Sequence, residues 1–401
     1  MKIVFLTDGK SPVPATKGGA VENLIEDLLD KNEEYHFFDF TVLTLYESEA
    51  YHKSKKYKYT NFMFVKTLPI IEVLDKITYW IARNVLKKAN LVSYRYIFRR
   101  LYVMSKYPKN LLKNDFDRVI LVTNSTLFFV FKNKKVAKKY NGKVIFYLHN
   151  EVRSLFKCEK EIASIRSLIG VSEFVNNSFR KQIPSLKDEQ CYVLKNGVDT
   201  ERFYKRNGTK INEFRKKFGI SCNDFIVIFV GRLIKEKGVL ETIKAVKACN
   251  DENIKLLIVG SGFYSSDIVE KYTLELRKES EEIKDRIIFT GYIDYNDMPS
   301  IYHLGDVAVL PSMWNEPAGM TMVEAVVSGI PLITTISGGI PEYITKDLAC
   351  LLSRDERLVE NIASEIKKIK MGESHICKKN KTDQFGLNDF YKNFSEILLN
   401  G

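Results

Sequence analysis

Residues 225–246 read FIVIFVGRLIKEKGVLETIKAV, and the order of events in this stretch decides the fold. Six apolar residues, rich in β-branched side chains, form one continuous run, as a strand buried on both faces requires. Gly231 ends the run. Arg232 and Lys237 follow, and a helix is expected from Gly238. A buried strand, a short loop and a helix together make one unit of a parallel α/β sheet.

The same alternation runs from end to end. KIVFLTD, FDFTVLTL, RVILV and KVIFYL read as strands in the first half, and FIVIFVG, KLLIVG, RIIFTG, DVAVLP and PLITT in the second. Each half is therefore expected to be α/β and doubly wound, with helices on both sheet faces. A chain of 401 residues is too long for one ordinary core. The polar, turn-rich stretch Asn196–Lys210 reads as a linker between a Rossmann-like domain over 1–195 and a second over 211–383. A last amphipathic segment within 384–401 is expected to cross back as a helix onto the first. Ligands of such sheets bind beyond the carboxyl ends of the strands. Two such domains are expected to face each other across a cleft.

Composition narrows the function classes. Apolar content of 45% and charged content of 28% suit a globular chain, and no apolar run is long enough to span a bilayer. MKIVFLTDGK meets an acid at its eighth residue and reads as a buried first strand, not a signal peptide. Six scattered cysteines without a CxxC pair point to reduced thiols in a cytosol, and no metal site is expected. A net charge of +12 suits phosphorylated ligands or an anionic membrane face, and no nucleic-acid motif accompanies it.

In NEPAGMTMVEAVVSGIP, Asn315–Pro331, two glutamates stand eight residues apart. On an unbroken helix that spacing gives a rise of about 12 Å and an offset of about 80°. Paired carboxylates acting on one glycosidic bond sit about 5–9.5 Å apart, so this pair suits a different task. Pro317 and Gly319 place the helix start near Gly319, leaving Glu316 in the loop and Glu324 within the helix. An anion-binding helix N-terminus then lies between two acids. The bland alternative makes Glu316 a helix cap and Glu324 a solvated surface acid. Arg232 through its planar fork and Lys237 as a point charge can converge on a diphosphate. Gly260 and Gly262 end the strand KLLIVG and permit close backbone approach, although GxG alone is a weak signal. Gly18 and Gly19 open a helix after the first strand and can receive phosphate or merely end a loop. Asp115-Phe116-Asp117 precedes a strand, at the wrong end for a ligand, and reads as a polar lead-in.

Together EPAGMTMVE, GRLIKEKG, NGVDTERF, SGGIPE and GVSEFV resemble the retaining glycosyltransferases of family 4, which have the GT-B fold. The resemblance implies transfer of a sugar from a nucleotide-sugar donor, UDP- or GDP-linked, to a hydroxyl acceptor with retention and without a metal or cofactor. Arg232 and Lys237 match the pair that neutralises the leaving diphosphate. Glu324 matches the glutamate holding the ribose hydroxyls, and Glu316 the one contacting the donor sugar, with backbone N–H groups of Ala318, Gly319 and Met320 nearby. Gly18 and Gly19 resemble a loop approaching the phosphate, with Gly231, Gly260 and Gly262 at the donor-side strand ends. His149 matches a histidine facing the donor sugar. Ser172 and Glu173 mark another strand end. No protein nucleophile is nominated.

The first half is then the acceptor side, and Val73–Tyr102 in it is basic and aromatic. Such a segment can lie on an anionic membrane or turn its aromatic stripe to the core. The resemblance implies a cytoplasmic enzyme of bacterial surface polysaccharide assembly with a glycan or lipid-linked acceptor. Peripheral contact at the inner face of the cell membrane stays open. A soluble glucan, small-sugar or protein acceptor, and a non-catalytic binding or coat protein of the same fold, are the alternatives.

Overall fold

The computed structural model describes residues 1–16, 19–86, 94–261, 267–373 and 382–400. Gly18 and Gly262, with Lys87 and Lys88 of the basic segment, lie outside these residues. The apolar runs form two sheets with every strand parallel to its neighbours. The first comprises β1 (Lys2–Leu6), β2 (Asp39–Leu45), β3 (Thr60–Val65), β4 (Arg118–Val122), β5 (Val144–Leu148), β6 (Ser167–Gly170) and β7 (Cys191–Val193). Their order is β3-β2-β1-β4-β5-β6-β7. The second comprises β8 (Phe225–Val230), β9 (Ile254–Val259), β10 (Ile287–Gly291), β11 (Val307–Leu310), β12 (Leu332–Thr335) and β13 (Cys350–Leu352). Their order is β10-β9-β8-β11-β12-β13.

Central strands have no solvated face, which is why their sequences do not alternate. Ile3, Val4, Phe5 and Leu6 of β1 are fully buried, as are Ile226, Val227 and Ile228 of β8. In each sheet the strand order reverses beside the first strand, between β1 and β4 and between β8 and β11. Loops leaving those strands at their carboxyl ends flank the crevice where doubly wound sheets take ligands.

The chain divides into two compact units, Met1–Gly197 with Leu387–Gly401, and Val198–Gly386. The stretch expected as a linker over 196–210 is ordered, and it enters the second unit at Val198. There Asp199 accepts the Arg202 N–H at 3.0 Å and caps the short helix Thr200–Tyr204, which packs on helices Met298–Tyr302 and Met320–Val327. Helix Leu387–Asn400 belongs to the first unit. It packs on helix Ala20–Tyr35, stacks Phe394 at 6.2 Å on Phe5, and donates the Tyr391 hydroxyl to Asn32 at 2.7 Å. Asp115 and Asp117 are held at the amino ends of strands, where Asp115 pairs with Lys139 at 2.8 Å and Asp117 accepts the Lys2 N–H at 2.8 Å.

Candidate donor site at the carboxyl ends of the second sheet

The loop after β8 carries Gly231, Arg232 and, in a single helical turn, Lys237. Gly260, at the end of neighbouring β9, has a φ of +137°, and a Cβ there would sit 1.9 Å from the Gly231 carbonyl oxygen. Only glycine permits that approach, so the two strand ends lie backbone to backbone. Gly238 has a φ of +72°, and its Cβ would meet the Pro311 carbonyl oxygen at 2.0 Å. This contact locks the loop after β8 against the loop after β11. Met313 strengthens it by donating its N–H to the Glu236 carbonyl at 2.8 Å.

Glu316 lies in the loop after β11 and is only 5% exposed. Burial of a carboxylate is costly without partners, and Glu316 has two. Its Oε1 accepts the Ser312 hydroxyl at 2.9 Å and pairs with Lys237 Nζ at 2.5 Å. The Lys237 ammonium also stands 5.9 Å from the centre of the Trp314 ring, whose indole Nε1 is buried without a hydrogen-bond partner among the described residues. The loop after β12 holds the glutamate's backbone: Gly339 donates its N–H to the Glu316 carbonyl at 2.7 Å. Arg232 is exposed at the mouth of the same loop system.

Helix Met320–Val327 begins just beyond. Gly319 takes the left-handed conformation ahead of it, Ala318 is buried, and no side chain caps the first turn. Its leading N–H groups therefore present a positive helix end toward an incoming acceptor. Glu316 does not cap this helix, and Glu324 is no surface acid. Glu324 is 7% exposed and accepts the Tyr302 hydroxyl at 2.9 Å. Burial pushes its carboxyl up to about 7, partly offset by the hydroxyls of Tyr302 and Tyr295 and the charge of Arg202. Arg202 is fixed by donating to the Tyr295 carbonyl at 2.7 Å, with its guanidinium 5.0 Å over the Tyr295 ring.

Ser312, Tyr302 and Arg202 are partners that the sequence reading missed. Ser312 directly follows the strand-end proline of DVAVLP, and Arg202 falls in NGVDTERF, so position within a motif was the available signal. Nothing in the sequence around Tyr302 marks it.

The first unit, taken by itself, holds a buried polar group of its own. His149, one residue past β5, is 5% exposed, and its ring packs 4.1 Å from that of Tyr147. Both ring nitrogens are buried without a hydrogen-bond partner among the described residues, and burial pulls the imidazole down to about 3. A neutral ring with an unmet N–H and an unmet lone pair is poised to exchange hydrogen bonds with a polar ligand. Gly19 precedes helix Ala20–Tyr35 with an extended backbone, and a Cβ there would meet the Glu22 carboxylate at 2.2 Å. Ser172 caps helix Glu173–Arg180 by accepting the Val175 N–H at 3.3 Å, which is a structural task.

The chain is similar to several known proteins. A Bacillus subtilis chain named as a glycosyltransferase, YtcC, is 27% identical over 88% of this chain and 79% of its own length. Spore coat protein SA of the same organism is 25% identical over 93% of each chain. The structure of HepE from Anabaena in complex with UDP-glucose superposes with a TM-score of 0.73 at 18% identity, covering 100% of both chains. That likeness and the two parallel sheets make the fold GT-B. Residues 210–384, nearly the whole second unit, match the model of the family described as glycosyl transferases group 1.

Proposed function

We propose that the chain is a glycosyltransferase of group 1, within family 4. It would move a sugar from a nucleotide-sugar donor to a hydroxyl of a glycan or lipid-linked acceptor, with retention and without a metal. The observation that carries this reading is the Lys237–Glu316–Ser312 cluster at the switch point of the second sheet. A cation and a buried carboxylate held together beside an uncapped helix start can serve a phosphate and a sugar hydroxyl at once. Glu324, on that helix, would take the ribose hydroxyls. The YtcC likeness, the family match and the UDP-glucose complex of HepE support the same assignment.

In this reaction the bond from the sugar's anomeric carbon to the diphosphate oxygen breaks, and a bond to the acceptor oxygen forms on the same face. Negative charge grows on the leaving diphosphate as the ring becomes oxocarbenium-like. Arg232, Lys237 and the backbone N–H groups of Ala318, Gly319 and Met320 would stabilise that charge, at typically about 3–4 kcal/mol for each well-placed donor. The leaving phosphate oxygen would accept the acceptor hydroxyl's proton. His149, being neutral, would orient a donor-sugar hydroxyl instead of supplying a proton. Gly19 and, outside the described residues, Gly18 and Gly262 would border the phosphate and nucleoside. We place the reaction in the cytoplasm, in bacterial surface polysaccharide assembly.

The likeness to spore coat protein SA favours a second reading, a non-catalytic member of the fold. A thermal-shift screen with UDP, GDP, ADP and their sugars, followed by turnover of whichever sugar nucleotide stabilises the protein, separates the two. Stabilisation that is lost in Arg232→Ala, together with turnover, supports the enzyme. Stabilisation without turnover across acceptors supports the coat-protein reading, and no stabilisation overturns the donor site.

A further inference from the structure

Helix Pro69–Asn84, PIIEVLDKITYWIARN, is built inside out. Amphipathic helices of globular units turn their apolar stripe to the core. Here the buried positions are Asp75 and Ala82. Asp75, 5% exposed, accepts the N–H groups of Phe98 at 2.8 Å and Arg99 at 3.1 Å and so caps helix Ile97–Lys113 across a long sequence gap. That cap turns the face bearing Asp75 and Ala82 inward. The apolar side faces out: Ile70 is 63% exposed, Val73 50%, Ile77 49% and Trp80 59%, with Leu74 and Ile81 beside them. Spacings of three and four residues place all six on one face. Isolated exposed apolar residues are ordinary, whereas a continuous stripe along a helix marks a surface that meets something apolar.

Charge decides what that is. Residues 66–106 hold nine Lys and Arg against two acids. One of those acids is the buried Asp75. A second copy docked stripe to stripe would bring two such cationic segments together, which electrostatics disfavours. An anionic lipid surface matches both features at once. We propose that helix Pro69–Asn84 docks the protein on an anionic bilayer. It lies in the interface plane with its apolar stripe among the acyl chains and the surrounding cations at the headgroups. At 16 residues the helix is about 24 Å long, short of a hydrocarbon core of about 30 Å. Among the described residues no helix is long and apolar enough to cross a membrane. Trp80, 59% exposed on that stripe, brings an indole, a side chain suited to a membrane interface. The proposal stands on this surface alone and does not depend on the reaction assigned above.

Flotation of the full chain with vesicles of phosphatidylcholine, alone or mixed with phosphatidylglycerol, tests it. The wild type is expected to float with the mixed vesicles and about tenfold less with phosphatidylcholine alone. The double substitution Ile77→Glu, Trp80→Glu is expected to reduce flotation on mixed vesicles at least about tenfold while leaving the thermal unfolding midpoint in place, because both side chains are exposed. Equal flotation of variant and wild type overturns the proposal, as does failure of the wild type to float. A wild-type dimer that the same substitutions convert to monomer also overturns it, because a second copy would then cover the stripe.

Discussion

The Lys237 ammonium is bonded to Glu316 Oε1 at 2.5 Å, so one buried carboxylate holds the cation that a diphosphate would need. The Ser312 hydroxyl bonds the same oxygen and keeps it aimed. In the proposed donor site a ligand phosphate would share or take over Lys237, and Glu316 would be released toward a sugar hydroxyl as it did so. Ligand charge and sugar contact would then be coupled through one ion pair.

Glu316→Gln removes the competing charge and keeps the shape. Nucleoside diphosphate is expected to bind as tightly as before or up to about tenfold tighter, since a buried anion beside the ligand is gone. Turnover is expected to fall at least about a hundredfold, the scale of losing one preorganised contact to the transition state. Calorimetric titration and a transfer assay read the two separately. A parallel loss of binding and turnover would show that Glu316 only builds the pocket.

Glu324 provides a pH signature. Its carboxyl, raised from 4.5 to about 7 by burial, keeps its proton in the folded protein after the unfolded chain has lost it. Folding stability from this group is therefore greatest below pH 4.5 and falls as pH rises to about 7, by on the order of 3 kcal/mol. Glu324→Gln is expected to be more stable than the wild type at pH 8, with the gap closing toward pH 5. If ribose hydroxyls donate to the carboxylate, the stabilising nucleotide sugar should bind more tightly as pH rises through 7 in the wild type only. Its diphosphate has no group titrating there, so a slope persisting in Glu324→Gln would exclude this glutamate as its source.

What the sequence discloses here follows from where chemistry sits along the chain. Strand-end loops carry Arg232, Lys237 and Glu316, and the helix after one of them carries Glu324, all inside contiguous motifs, and continuous apolar runs announce β1, β4, β5, β8, β9 and β11. Partners that close the site come from elsewhere: Tyr302 and Glu324 lie 22 residues apart, and Lys237 and Glu316 79 apart. Such pairings are tertiary and leave no local period. Edge strands β3 and β13 and the four-residue β6 are short or mixed in composition, which hides them. The helix at Pro69–Asn84 shows the opposite failure. Its apolar period is plain, yet the direction it faces is set by Asp75 reaching the next helix.

His149 tests whether burial of a polar ring serves function in the first unit. Two unmet polar atoms in a buried ring cost about 1–3 kcal/mol each. His149→Leu is expected to raise stability by an amount of that order, with transfer reduced at least about tenfold and diphosphate affinity nearly unchanged. Because the imidazole is held down to about 3, the wild-type rate should show no step from this group between pH 5 and 8. Loss of stability in His149→Leu with unchanged transfer would make the residue structural.

Gly338 tests whether the loop after β12 sets the position of Glu316. At a φ of +53°, a Cβ on Gly338 would lie 2.3 Å from the Glu316 carbonyl oxygen and 2.7 Å from its nitrogen. Gly338→Ala must therefore displace the glutamate's backbone as well as strain its own. Gly372 has a similarly left-handed φ of +76°, and a Cβ there would meet nothing within 4 Å, so Gly372→Ala carries the conformational strain alone. Each alanine is expected to cost about 1–2 kcal/mol from backbone handedness. Only Gly338→Ala should also lower turnover, by at least about tenfold, because a contact moved by a fraction of an ångström no longer meets the transition state. Denaturant unfolding and transfer rates of the pair decide it: equal rates in the two variants would mean that Glu316 finds its place without this loop.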